Sequence, residues 1–224
     1  MPRIASIQIG RVETLERVLE DGDSRPWQTA FRKSPVDRAF VAELGLDGDA
    51  QADRKHHGGP DKAVLFYAKS HYSAWRERYP RLAFEDGGFG ENLTIEGLDE
   101  TAVCLGDTYR IADIELQVSQ PRIPCWKISE RWREPTLTDE VRKTGWTGWY
   151  VRVKRGGALV VGDRVELVDR PLPEWPISRL NDHLFGRREW TAADCSFLRA
   201  LDMLADGWKA VIPKDVEDEK GRRA

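Results

Sequence analysis

Apolar and polar positions along the chain follow two periods, and the two-residue period dominates. Residues 3–9 (RIASIQI) form a short apolar run that predicts a first strand. Residues 20–35 (EDGDSRPWQTAFRKSP) are polar and rich in turn formers, which predicts a long loop. Residues 36–41 alternate weakly and predict a second strand, ended by the LGLDGD turn. Residues 62–67 (KAVLFY) are a continuous apolar run, readable as a buried strand or as the start of a helix. Tyr72, Trp75 and Tyr79 are spaced by three and four, which predicts a helix over 70–79 stopped by Pro80.

Strand signals crowd together beyond Glu91. NLTIEG, VCLGDTYRI and IELQVSQ are short, β-branched or alternating, and separated by Gly and Asp. Residues 138–143 suit a short helix, and Trp149, Val151 and Val153 then share one face of a strand. ALVVGD and RVELVDR complete the set. Strand pairs joined by GD turns, without regular βα alternation, predict a mainly β, α+β fold: a mostly antiparallel barrel or sandwich with peripheral helices. Residues 171–176 (PLPEWP) read as a proline-rich linker. Three helical stretches follow at 177–185, 191–204 and 208–211, with a T-x-x-D start at Thr191. The expected division is a β domain over 1–170 and a three-helix domain over 171–224 whose charged tail frays.

Composition narrows the function classes. Of 224 residues, 35 are basic and 38 acidic, a formal charge of -3, which argues against a general nucleic-acid binder. Three cysteines cannot form an even disulfide framework or supply four thiolates to an iron–sulfur cluster. The N-terminus shows no secretory apolar core and no run approaches a membrane span, so the expectation is a cytoplasmic protein with reduced thiols. No G-x-G-x-x-G dinucleotide fingerprint occurs.

Candidate chemistry gathers in a few stretches. Cys125 lies in SQPRIPCWK, after a strand and beside stiffening prolines. Arg122 and Lys127 are close in sequence, and cationic neighbours favour thiolate, which is both a nucleophile and a soft-metal ligand. The alternative is that Cys125 is a small buried hydrophobe, as Cys104 and Cys195 are expected to be. His56–His57–Gly58–Gly59 combines imidazoles with glycines that allow close backbone approach, or is a plain Gly-Gly turn. Residues 89–93 (FGENL) are a turn with side-chain donors and acceptors. Arg25, Arg32 and Lys33 form a basic cluster that binds phosphate or is simply solvated. Most of the nine tryptophans must be core, but Trp126, Trp146 or Trp149 could line a site for a flat heterocycle.

Taken together, these stretches resemble the MOSC domain, the module named after the C-terminal part of molybdenum cofactor sulfurase, and among MOSC proteins the bacterial YiiM-like family. The carrying residues are GLDGDAQADRKHHGGPDKAV (45–64), GFGENLTIEGL (88–98), GD (106–107), LQVSQPRIPCWKI (116–128), TGWTGWYVRV (144–153) and GDRVEL (162–167). The resemblance implies a molybdopterin-type cofactor in a β-barrel pocket, with Cys125 as thiolate ligand to molybdenum. It implies His57, with Gly58 and Gly59, beside the cofactor. It implies Asn92 on the pterin or its phosphate, and Lys33, Arg122 and Lys127 as phosphate cations. Many relatives have Gly-Ile where this chain has Ala30–Phe31.

For activity, the resemblance implies reduction of N-hydroxylated compounds, including base analogues such as hydroxylaminopurine, with Cys125 and His57 as catalytic residues. Conversion of R–NHOH to R–NH2 and water takes two electrons and two protons and removes one oxygen, and His57 or a water would deliver a proton. Without a dinucleotide motif or a cluster of its own, such a reductase needs electrons from a separate flavin or haem protein. The C-terminal helices are either its docking surface or a cover for a barrel end and a support for dimerisation. A homodimer is the prior expectation for assembly. Two other readings stay open: a cofactor carrier or sulfur-transfer protein, and a thiol hydrolase or transferase using Cys125 with His57.

Overall fold

The computed structural model describes residues 1–18, 22–53, 58–214 and 216. Eight strands form the main sheet: β1 (Arg3–Gly10), β4 (Lys33–Val36), β7 (Val64–Ala68), β8 (Leu93–Glu96), β9 (Thr108–Ile111), β10 (Ile114–Pro121), β11 (Trp149–Arg155) and β13 (Glu166–Asp169). Their order across the sheet is β13-β9-β10-β11-β7-β8-β1-β4. Every pair is antiparallel except β7–β8, which are joined through helix α1 (His71–Arg78). A smaller sheet holds β5 (Arg38–Ala42) between β6 (Gly45–Leu46) and β12 (Gly157–Val160). Backbone bonds from Ile4 to Asp163, Gly162 to Ile4 and Val165 to Pro2 bring the chain leading into β13 back against the start of β1. The architecture is thus mainly β with peripheral helices, as the strand pattern predicts.

The alternation along β11 sorts its side chains. Trp149 and Val151 face the core, while Tyr150, opposite Leu65, takes the other face. The run at 62–67 resolves as strand β7, entered through a 3-10 turn at Pro60–Lys62. Helix α1 stops before Pro80 and buries Tyr72 and Trp75. These rings join Tyr67, Phe84, Phe89, Ile128, Leu137 and Val141 in an aromatic core distinct from the main one. Ile128 comes from α2 (Lys127–Trp132), and Leu137 and Val141 come from α3 (Leu137–Thr144).

Two expectations are corrected. The segment expected as a loop from 20 to 35 instead contributes β3 (Ser24–Thr29), paired with β2 (Glu13–Val18) as a hairpin, and then β4. The residues of β3 are nearly all exposed or half-buried, so no apolar face marks it as a strand. The expected second strand is split, because Val36 ends β4 in the main sheet and Arg38 begins β5 in the smaller one.

Helices α4 (Ile177–Leu184), α5 (Ala192–Ala200) and α6 (Asp206–Lys209) follow. The Thr191 side chain caps α5 by accepting from Asp194 N–H, as its T-x-x-D start predicts. Leu180, Leu198 and Trp208 pack into the same buried cluster as Leu116 and Val118 of β10. Residues 175–178 also bond to residues 100–105 through Leu105 N–H to Trp175 and Ile177 N–H to Val103. Among the described residues no helix is long and apolar enough to cross a membrane.

His183 on α4 is buried, stacked 4.4 Å from Trp190 and 6.0 Å from Trp175, with its Nε2 3.8 Å from Asp194 Oδ2. Burial pushes its pKa below the usual imidazole value, against the opposing pull of Asp194. The unfolded chain therefore binds this proton more tightly than the folded one, and stability rises with pH. The contribution is whole above ~6.5 and is lost as pH falls below it towards the folded-state pKa. Thermal unfolding of the wild type should drop in midpoint between pH 7 and pH 5.5, and His183→Phe should flatten that dependence. An unchanged slope in the variant would place the titration elsewhere.

Candidate functional site

A β-bulge interrupts the pairing of β10 with β11 between Val118 and Gln120. Bulges bend a strand and re-aim the residues beyond the bend. Here Ser119 Oγ fixes the bend by donating to Asp61 O at 2.6 Å and to Tyr150 O at 3.1 Å. Of the residues that follow, Arg122, Cys125 and Lys127 line an open cleft with an interior volume of about 80 Å³. Its walls include Lys33, Asp49, Asn92, Arg122, Cys125 and Lys127, with Phe31, Leu65 and Tyr150 supplying apolar surface. Five side chains expected from the sequence to share a site therefore do so: Lys33, Asn92, Arg122, Cys125 and Lys127.

Cys125 is half-buried and its backbone is held by Ile128 N–H at 3.1 Å and Thr138 Oγ1 at 3.3 Å. Cys104 and Cys195 are buried, and burial raises both thiol pKa values, consistent with core roles.

Arg122 is only 4% exposed, and its Nη1 has no hydrogen-bond partner among the described residues. Its guanidinium carbon lies 5.7 Å from the centre of the Phe31 ring. A buried cationic donor without a partner is costly, so it marks a place for an acceptor.

Lys33 is a different case. It is buried in an ion pair with Asp49, and desolvation lowers its pKa while the Asp49 charge opposes that. Asp49 also accepts from Gly10 N–H at 2.7 Å and from Asn92 Nδ2 at 2.9 Å. Asn92 in turn accepts from Leu65 N–H at 3.1 Å and donates to Gln8 O at 3.4 Å. Both expected ligands are thus engaged with the scaffold, and the Lys33 charge is already matched.

The FGEN turn has a structural logic. Glu91 is fully buried and accepts from Tyr72 Oη at 2.5 Å, Gly87 N–H at 2.7 Å, Phe89 N–H at 3.1 Å and Thr94 Oγ1 at 2.9 Å. Gly90, with φ +78°, lets Phe31 approach, since a β-carbon there would sit 2.9 Å from the ring. That contact fixes one wall of the cavity.

His57 lies outside the described residues. Gly58 and Gly59 are described but do not line the cavity; Gly59, at φ +94°, turns the chain into the 3-10 turn that carries Lys62 to the wall. Lys62 has a pKa lowered by burial, opposed by Asp53 and Asp61.

Sequence reasoning missed Lys62, Asp49 and Tyr150. The strand alternation held the signal for Tyr150, because a core-facing Trp149 and Val151 put it on the other side. Its phenol is within electrostatic reach of Arg122, Cys125 and Asp49, and burial raises its pKa. Of the tryptophans, Trp149 is core and Trp146 stacks 4.8 Å from His71. Trp126 is the exposed one, 4.8 Å from Trp27 and under the Arg17 guanidinium at 4.5 Å. In the basic cluster, Arg25 is exposed and Arg32 lies 3.6 Å from Glu13.

Among the described residues, no three His, Cys, Asp or Glu side chains converge as a metal cluster. A metal at Cys125 would bring its remaining ligands with it.

The MOSC domain model matches residues 53–166. The chain is 39% identical to the uncharacterized protein YflK of Bacillus subtilis, over 94% of this chain and 93% of that one. The crystal structure of YiiM from Geobacillus stearothermophilus superposes with a TM-score of 0.77 at 32% identity, covering 95% of this chain and 97% of that one. A Gibberella moniliformis protein described as a reductase is 33% identical over 75% of this chain, which spans 30% of its length. The protein belongs to the MOSC domain family.

Proposed function

We propose that the cavity holds a molybdopterin-type cofactor and that the protein reduces N-hydroxylated compounds, hydroxylaminopurine-like bases among them. The observation that carries this reading is a buried guanidinium nitrogen without an acceptor, Arg122 Nη1, in the same cavity as the Cys125 thiol. The residues present suit the group. Arg122 and Lys127 would hold its phosphate, and a half-buried cysteine on a proline-stiffened turn is a soft ligand for its metal. Phe31 and Leu65 offer apolar surface to a pterin ring.

When bound, the molybdenum cofactor supplies two-electron chemistry coupled to oxygen removal. The reaction balances as R–NHOH plus two electrons and two protons, giving R–NH2 and water. This chain's share is to bind, orient and hold a proton. Tyr150 lines the cavity, and burial raises its pKa, so its phenol stays a neutral donor. It is the described residue best suited to hydrogen-bond the departing oxygen. The Lys33–Asp49–Asn92 network keeps the cavity floor rigid beneath these groups.

Electrons come from a separate flavin or haem protein in this reading. The fungal protein described as a reductase supports it, since most of its length lies outside the matched segment and leaves room for such a module.

Expression in a molybdate-fed, cofactor-competent host should give near-stoichiometric molybdenum and pterin, with turnover of hydroxylaminopurine under a reduced artificial donor. Cys125→Ser should lose the metal and bring turnover to background. Absence of both metal and pterin from the wild type would overturn the reading. Bound cofactor without any turnover would point to a carrier instead.

Tyr150→Phe removes one hydroxyl and leaves the ring. Cofactor content should stay at the wild-type level while kcat falls about 100-fold, the lower end for loss of a proton donor. A change confined to KM would restrict Tyr150 to substrate binding.

A further inference from the structure

The strand ends that carry Arg122 and Tyr150 are braced from behind by the C-terminal helical segment. Ala205 N–H bonds Ser119 O at 3.1 Å, next to the bulge of β10. A second brace runs from α4. Asn181 is fully buried beside the apolar Ile177 and Leu180. Its Nδ2 donates to Gly145 O at 3.0 Å and to Thr147 Oγ1 at 2.9 Å. Thr147 Oγ1 donates its own proton to Gly148 O at 2.9 Å. The same Gly148 oxygen accepts the backbone N–H of Arg122 at 3.1 Å.

The Gly148 end is fixed from the other side as well. Its N–H donates to Glu100 Oε1 at 2.7 Å, and Glu100 Oε2 pairs with His71 Nε2 at 2.6 Å, both buried. Gly148 has φ +75°, and a β-carbon there would lie 2.4 Å from Phe66 O, so the segment is seated hard against β7. Asn181 therefore reaches, through Thr147, a peptide group that is also held by Glu100 and by the backbone of Arg122.

The fold leaves one polar atom of Asn181 unused. Asn181 Oδ1 is buried with no hydrogen-bond partner among the described residues, an arrangement that costs free energy in an apolar setting. A leucine would fill comparable space and remove that cost, but it would give up the bonds to Gly145 O and Thr147 Oγ1.

We propose that Asn181 is a positioning residue for the anion site, setting Arg122 through Thr147 and Gly148, so that the C-terminal helices form part of the site. This rests on the reading of Arg122 as an anion ligand. The bonds from Asn181 to Thr147, from Thr147 to Gly148 and from Arg122 to Gly148 form one chain from helix α4 to the cavity wall. Arg122 carries the unpaired nitrogen, and its backbone amide is the last link.

Inorganic pyrophosphate is the probe, titrated by calorimetry into the cofactor-free full chain. The wild type should bind it. Asn181→Leu should weaken binding about tenfold, the scale of coupling within one hydrogen-bonded network. Thr147→Val breaks the same relay without touching α4 and should match it. In an Arg122→Met background, which keeps the buried stem, Asn181→Leu should weaken the remaining binding no further. Thermal melts identify any variant that fails to fold, and Thr147→Val then stands in for Asn181→Leu. If Asn181→Leu binds like the wild type, or costs as much in the Arg122→Met background, the positioning role is wrong. If the wild type itself ignores pyrophosphate, the anion site fails first, and its failure is told apart by that titration alone.

Discussion

The Asp49 carboxylate organises the site. It is buried, and a buried charge is tolerated only when it is paired and its lone pairs are used. Gly10 N–H, Lys33 Nζ and Asn92 Nδ2 all turn to it. These come from the end of β1, the start of β4 and the turn into β8, so one side chain joins three elements that meet beneath the cavity. Glu91 repeats the device one residue from Asn92, drawing Tyr72, Thr94 and two loop amides together. Two satisfied carboxylates thus make a floor that needs no ligand to keep its shape.

Against that satisfied floor, Arg122 is the exception. Lys33 is matched by Asp49; Arg152 on the neighbouring strand is paired with Asp61 at 2.7 Å, although its Nε has no partner among the described residues. Arg122 has an unused buried donor in the same neighbourhood. Cavities commonly carry mixed charge, but a buried cationic donor left unpaired among the described residues, in the same cavity as a thiol, is selective. A cationic donor suits an anion and a thiol suits a soft metal, the pairing that the proposed cofactor would use.

The sequence made the strands around Cys125 legible, because the two-residue period, the GD turns and the prolines are local signals. It hid whatever depended on distant partners. Lys33 reads as a free cation in a basic loop, and its partner is 16 residues away across a turn. Asn92 reads as a ligand, yet its amide is taken by Asp49, Gln8 and Leu65, far off in sequence. The β2–β3 hairpin pairs Leu15 with Trp27, but with so little buried surface on β3 it leaves no alternation to read. Helix α2 escaped notice because it is short and comes after two prolines that signal only a turn. Tyr150 was readable in principle, since alternation fixed its face; that this face borders a cavity is a consequence of β7 lying alongside.

The unpaired donor of Arg122 also links occupancy to folding. A protein that keeps a buried guanidinium nitrogen without an acceptor is less stable than its packing alone allows. Any anion that satisfies the group removes that deficit, and it stabilises the native state by mass action on top of its own contacts. The deficit is useful only if the guanidinium stays in place while it is unpaired. Relaxation towards solvent would satisfy it and erase the site. The backbone of Arg122 is therefore tied to Gly148, Gly148 to Glu100, and both to helices that lie outside the cavity. An unsatisfied donor at the ligand position and rigidity behind it are two halves of one design, and neither works without the other.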